Sequence, residues 1–188
     1  MAAARHIRGP VLEPSELERF EAVVLPHLSA AYRLARYLTR NDADADDVVQ
    51  EACLRALKYF GGFRGEGTGQ SRAWLLTIVR NMAHTWRGRH RADASATEFD
   101  ERVHSEALTE DQPDTLARSD ARDALAHALD RLPADFREVI VLREIEGLSY
   151  KEISEVVDVP VGTVMSRLSR ARKRLQDALF DSGKELMK

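Results

Sequence analysis

The sequence predicts an all-α protein: two small helical domains joined by a flexible acidic linker, the C-terminal domain containing a helix-turn-helix. Three observations carry this. Apolar residues recur at steps of three and four through most of the 188 residues, the spacing of one buried helix face. No stretch sustains the alternation of a strand. Residues 93–123 hold ten acids against three arginines with weak apolar periodicity, a composition that favours an extended, solvated chain. The expected divisions are a mobile N-terminus (1–14), a helical domain (15–92), the linker (93–117), a second helical domain (118–182) and a tail (183–188).

Each element has its own signal. Ser15 with Glu18 reads as a capping box, which satisfies free N–H groups at a helix start. Leu17, Phe20, Val23 and Val24 give the stripe that follows, and Pro26 interrupts it. Leu28, Ala31, Tyr32, Ala35 and Leu38 mark the next helix.

The acid-rich run from Asp42 to Asp47 raises calcium binding. An EF-hand loop needs Gly at its sixth position and Glu at its twelfth, and here Asp47 and Cys53 stand there. The acids read instead as a helix start that favours the positive end of the dipole. That helix, residues 44–60, turns Val48, Val49, Ala52, Ala56, Leu57 and Phe60 inward. Asp47, Gln50, Glu51, Leu54 and Arg55 are left to face outward.

Residues 61–69 form a glycine-rich loop with an aromatic tip. It lacks the Lys-Ser/Thr and the preceding strand of a phosphate-binding loop. The helix at 71–89 has a stripe of Trp74, Leu75, Ile78, Val79, Met82, Ala83 and Trp86. From Gly67 to Ala92 there are five arginines and no acid, and an arginine-rich helix with aromatics nearby can hold phosphates and stack on unpaired bases. His84 and His90 lack companion ligands for a metal.

Beyond the linker, Ala121, Leu125, Ala128, Leu129 and Leu132 mark a helix that Pro133 ends. Phe136, Val139, Ile140 and Ile145 mark another that Gly147 closes. Ser149 and Glu152 make a second capping box, and Ile153, Val156 and Val157 form a stripe. Asp158-Val159-Pro160 then breaks the helix. Asp158 stands where the turn needs a left-handed backbone, which Asp tolerates better than most residues. In the last helix Val161, Val164, Leu168, Ala171 and Leu175 face inward. From Pro160 to Arg174 there are five basic residues and no acid. A short helix, a turn and a basic helix form a helix-turn-helix, whose second helix enters the major groove.

Composition sets bounds. Net charge is −3, so attraction to DNA must come from local patches. Cys53 is the only cysteine, so no internal disulfide is expected. No apolar run reaches membrane-spanning length, and residues 1–14 lack the apolar core of a secretory signal. A cytoplasmic location is expected. No nucleophile–base pair, metal cluster or cofactor loop is present, so neither an enzyme nor a cofactor is expected.

Three blocks, DADDVVQEACLRAL, SRAWLLTIVRNMAHTWRGRHR and LPADFREVIVLREIEGLSYKEISEVVDVPVGTVMSRLSRARKRL, together resemble the sigma-70 family of bacterial RNA polymerase sigma factors. The short two-domain form resembles the extracytoplasmic-function group. The resemblance implies a dissociable initiation subunit. Its partners would be core RNA polymerase, through the clamp coiled coil and the flap, promoter DNA, and an anti-sigma factor. Asp47, Gln50, Glu51, Leu54 and Arg55 would meet the clamp. Phe63, Arg64, Arg80, Asn81, Arg87 and Arg91 would serve the −10 element, where a flipped base is held in a pocket. Thr163, Ser166, Arg167, Arg170 and Arg174 would serve the −35 duplex. The acidic linker would thread polymerase channels otherwise filled by nucleic acid. Two other readings compete: a decoy that sequesters an anti-sigma factor, and a conventional helix-turn-helix regulator, which would not need the 67–92 block.

Overall fold

A computed structural model of the chain describes residues 13–65, 67–94 and 116–185. Every regular element among the described residues is helical. Residues 1–12 of the expected mobile N-terminus, most of the expected acidic linker and the end of the tail lie outside them, while Glu13 and Pro14 already belong to the start of the first helix.

Helix α1 (Pro14–Val24) opens on Pro14, with Glu13 at its N-cap and no side-chain cap bond. The capping box expected at Ser15 and Glu18 is therefore corrected. Proline suits the first helical position, so the helix starts two residues early, with Glu13 rather than Ser15 at the N-cap, and Ser15 falls inside it. Pro26 tightens the chain into a 3₁₀ turn, Leu25–His27, before α2 (Leu28–Thr39) resumes. Helix α3 (Asp42–Tyr59) is capped by Asn41, whose side chain accepts from the Asp44 N–H at 3.1 Å. Its start is two residues earlier than the acids suggested, because Asn41 reaches the free N–H groups first. Helix α4 runs Thr68–Ala94.

These helices form one packed group. Helices α2, α3 and α4 contact one another, and α1 lies on α4. Leu34 and Leu38 of α2, Ala52 and Ala56 of α3, and Leu75, Leu76 and Val79 of α4 are buried. Alanines on α3 leave room for the larger leucines of its neighbours to approach closely.

The second group holds α5 (Leu116–Asp130), α6 (Ala134–Ile140), a π-helical turn (Val141–Ile145), α7 (Tyr150–Val157) and α8 (Val161–Glu185). Helix α8 packs on α5, α6 and α7. The capping box at the start of α7 forms. Ser149 Oγ accepts from the Glu152 N–H at 3.2 Å, and the Glu152 carboxylate accepts from the Ser149 N–H at 2.7 Å. Hydrogen bonding to the carboxylate from the Ser149 side chain and backbone N–H holds the Glu152 carboxyl below its ordinary value. At the turn, Asp158 has φ 51° and ψ 53°, the left-handed conformation the sequence called for. Replacing Ser149 with alanine is expected to cost about 1 kcal/mol. Thermal unfolding should then shift down by roughly 2–4 °C, and an unchanged melt would show that the cap contributes nothing.

The sequence did not indicate how the two groups meet. Helix α7 lies against α4, and α6 meets α2. The buried apolar residues of both form one contiguous core. Arg137 of α6, 1% exposed, fastens the junction. It donates to the carbonyls of Leu129, Asp130 and Leu132, each at 2.8 Å, and to that of Tyr37 on α2 at 3.1 Å. Three of those acceptors are carbonyls at and just past the end of α5, where no intrahelical donor remains. Burial pushes its guanidinium down to about 10, still charged at neutral pH.

Candidate functional site

Helices α3 and α4 enclose a cleft of about 390 Å³. All five outward-facing residues expected on α3 line it: Asp47, Gln50, Glu51, Leu54 and Arg55. All five are exposed, Leu54 at 64%. Arg55 donates to Glu51 at 3.2 Å, one turn away. The opposite wall is Met82, Thr85, Trp86 and Arg89 of α4. Sequence reasoning placed Met82 and Trp86 on an inward stripe and did not connect them with α3. An exposed leucine amid charges, with an indole beside it, is the make-up of a protein-docking groove.

The loop after α3 departs from expectation. Phe63 is no exposed aromatic tip: it is 7% exposed, with its ring centroid 4.6 Å from that of Trp74 and 6.1 Å from that of Phe60. Apolar ring area is more stable against other rings than in water, so the loop folds back. Gly65 permits this, because a Cβ there would overlap the Phe63 ring. Arg19 pins the loop, donating to the Phe63 carbonyl at 2.9 Å and lying 5.0 Å from the Phe60 centroid. Arg64 remains exposed and donates to the Gly61 carbonyl at 2.6 Å.

On α4, Asn81 is exposed and accepts from Arg80 at 3.5 Å. Arg80 itself is mostly enclosed and donates to Glu138 of α6 at 2.5 Å. His84 lies 3.3 Å from the same Glu138 oxygen. Arg87 is half-buried, and the Arg91 side chain lies outside the described residues. Burial acts to raise the Glu138 carboxyl, but the hydrogen bond from His84 and the charge of Arg80 outweigh it and hold the group below its ordinary 4.5. A carboxyl depressed by folding stabilises the fold above its unfolded value and loses that contribution as pH falls through the folded one. The melting temperature of the native chain should therefore drop below pH 4.5 more steeply than that of Glu138→Gln. Parallel curves for the two would show that this contact contributes no pH-linked stability.

Helix α8 presents Ser166 and Arg170 to solvent, with Thr163 and Arg167 half-buried. Arg167 pairs with Asp135 at 2.9 Å. Arg174 lies over the Phe136 ring at 5.0 Å. Val161, expected to face inward, is exposed, as is Met165. Val161 is the first residue of α8, so no preceding turn covers it. Among the described residues no group of three or more His, Cys, Asp or Glu could hold a metal ion. No described helix is long and apolar enough to cross a membrane.

Comparison with known proteins bears on both halves. The family described as Sigma-70 region 2 matches residues 23–92, and Sigma-70, region 4 matches residues 122–175. The chain is 34% identical over 167 residues to the RNA polymerase sigma-H factor of Pseudomonas aeruginosa, covering 85% of this chain and 86% of that one. It is 36% identical over 151 residues to the extracytoplasmic-function sigma-E factor of Escherichia coli, 77% of each. Among solved structures it is similar to the sigma factor RpoE of Bartonella quintana in complex with the anti-sigma factor NepR. There the TM-score is 0.72 and the identity 29%, over 86% of this chain and 97% of that one. It is also similar to CnrH in complex with the cytosolic domain of CnrY, with a TM-score of 0.60 and 29% identity over 88% and 90%.

Proposed function

The chain belongs to the sigma-70 family of RNA polymerase sigma factors, and from that premise we propose how its surfaces divide the work of initiation. A sigma factor is a non-catalytic subunit that joins core polymerase and promoter DNA, and the relatives place this one in the extracytoplasmic-function group.

Residues 15–92 dock on core polymerase and open the −10 element, and residues 118–182 hold the −35 duplex and the flap. The observation that carries this is the cleft between α3 and α4. Five α3 residues picked out for clamp contact line that one exposed groove. Leu54 and Trp86 form its apolar centre, and Asp47, Glu51, Arg55 and Arg89 form a charged rim. A buried apolar centre with a polar rim is the usual anatomy of a specific protein interface.

At the loop, Phe63 acts from beneath. Its packing on Trp74 sets the position of Arg64, and Arg64 and Asn81 are the groups open to a flipped base. Arg87 and Arg91 hold phosphates on the same helix. On α8, Ser166 and Arg170 face the major groove. Met165 adds an apolar surface that suits a thymine methyl. Thr163, Arg167 and Arg174 complete the set, with Arg167 and Arg174 first leaving Asp135 and Phe136. The acidic linker runs through the polymerase channels, and an anti-sigma factor covers the polymerase-binding surfaces when the protein is idle. The setting is cytoplasmic.

Run-off transcription with purified core polymerase, followed by start-site mapping, tests the whole. Promoter-dependent transcripts that require the chain are expected. Duplex binding without core, and no transcripts with it, would instead mark a conventional helix-turn-helix regulator.

A further inference from the structure

Beside the loop, two arginines from different helices of the N-terminal half converge. Arg33 comes from α2 and Arg72 from the early turns of α4. Between them lies the carboxylate of Glu146, which the C-terminal half supplies. Arg33 grips it in parallel, Nε at 2.8 Å from one oxygen and Nη2 at 3.0 Å from the other. Arg72 Nη2 adds a third bond at 2.5 Å.

The burial is one-sided. The Glu146 side chain is 0% exposed, whereas those of Arg33 and Arg72 keep 38% and 29% of their surface. The arginines stand at the rim of a cleft of about 280 Å³, with His27, Ser29 and Gly69 also on its wall. The receptor thus belongs wholly to the N-terminal half, and only the acid comes from elsewhere. The same pattern recurs along α4, where Arg80 and His84 receive Glu138.

A fork of guanidinium donors that accepts both oxygens of a carboxylate also fits the two free oxygens of a phosphodiester. Gly69 and Arg72 follow directly on the loop assigned above to the −10 strand. A strand brought to that loop therefore carries its backbone past this cleft. We propose that Arg33 and Arg72 form a binding site for a DNA backbone phosphate, and that Glu146 fills it as an internal phosphate substitute while the two halves are packed together. This deepens the reading of the chain as a sigma factor and rests on it. DNA and the C-terminal half then compete for the same two arginines. Contact with the strand requires the halves to part, and the halves can close only when no strand is present.

The test uses the full chain, alone and as holoenzyme. With a fluorescent single-stranded oligonucleotide and the chain alone, Glu146→Gln is expected to tighten binding about fivefold or more. Adding Arg33→Gln and Arg72→Gln to that variant should remove the gain. In the holoenzyme with native Glu146, the two arginine changes should flatten the dependence of log promoter affinity on log salt by roughly 0.7–0.9 for each phosphate no longer held. Two results overturn the proposal: no gain from Glu146→Gln in a variant whose melt shows it folded, or a gain that survives loss of both arginines. Should Glu146→Gln fail to fold, the holoenzyme salt slope decides, and an unchanged slope overturns the site. Native-chain run-off transcription judges the sigma reading separately. Normal transcripts with an unchanged slope remove the phosphate site alone.

Discussion

Changing Leu54 to aspartate is expected to weaken binding of core polymerase about a hundredfold while leaving thermal unfolding within about 2 °C. Leu54 is 64% exposed on the wall of the α3–α4 groove, so the isolated fold gains little from it. At an interface the same side chain loses its water. Covering a leucine is worth roughly 1.5–3 kcal/mol. An aspartate in its place would desolvate a charge beside Glu51 and Asp47, with Arg55 already engaged by Glu51. Together these reach about 3 kcal/mol, or two orders of magnitude in affinity. A titration of labelled core polymerase reads this directly. An affinity within about threefold of the native chain would remove the groove as the docking surface.

Replacing Arg137 with methionine is expected to be the most destabilising single change, at about 3–5 kcal/mol. Methionine has similar length and no donors. The carbonyls of Leu132 and Tyr37 lose this donor, while those of Leu129 and Asp130 keep only the Leu132 N–H and the Arg40 guanidinium. Buried acceptors left without a donor cost about 1–3 kcal/mol each where water cannot reach them, and relaxation near the end of α5 recovers part of that. For a chain of this size the melting temperature should fall by about 10 °C. Differential scanning calorimetry measures it, and a fall of less than about 3 °C would mean that Arg137 is not the fastening of the junction.

What the sequence disclosed follows from periodicity and from local chemistry. The stripes of α2, α3, α7 and α8 were readable because each helix buries one face. Asp158 was readable because its turn needs a left-handed residue. Gln50, Leu54 and their neighbours were readable because they occupy the polar side of α3. The opposite wall was not: Met82 is core and Trp86 packs half-buried against it, as their stripe indicated, but nothing in that stripe set them beside α3. Arg137, Glu138 and Glu146 carried no signal at all. Each resembles an ordinary solvated charge, and their partners Tyr37, Arg80 and Arg33 lie 58 to 113 positions away. Pairing over such distances leaves no trace in a local window. The start of α1 went astray for a different reason. Two start signals overlapped there, and the ring of Pro14 prevailed over the hydroxyl of Ser15.

The left-handed corner at Asp158 shapes what drift can do to this protein. Only glycine, asparagine and aspartate occupy that conformation readily, and the codons of aspartate lie one base change from those of the other two. The angle between α7 and α8 can thus persist through substitutions at the corner itself, while the outward side chains of α8 change independently. Descendants of this chain are free to acquire new target sequences without rebuilding the joint that presents them.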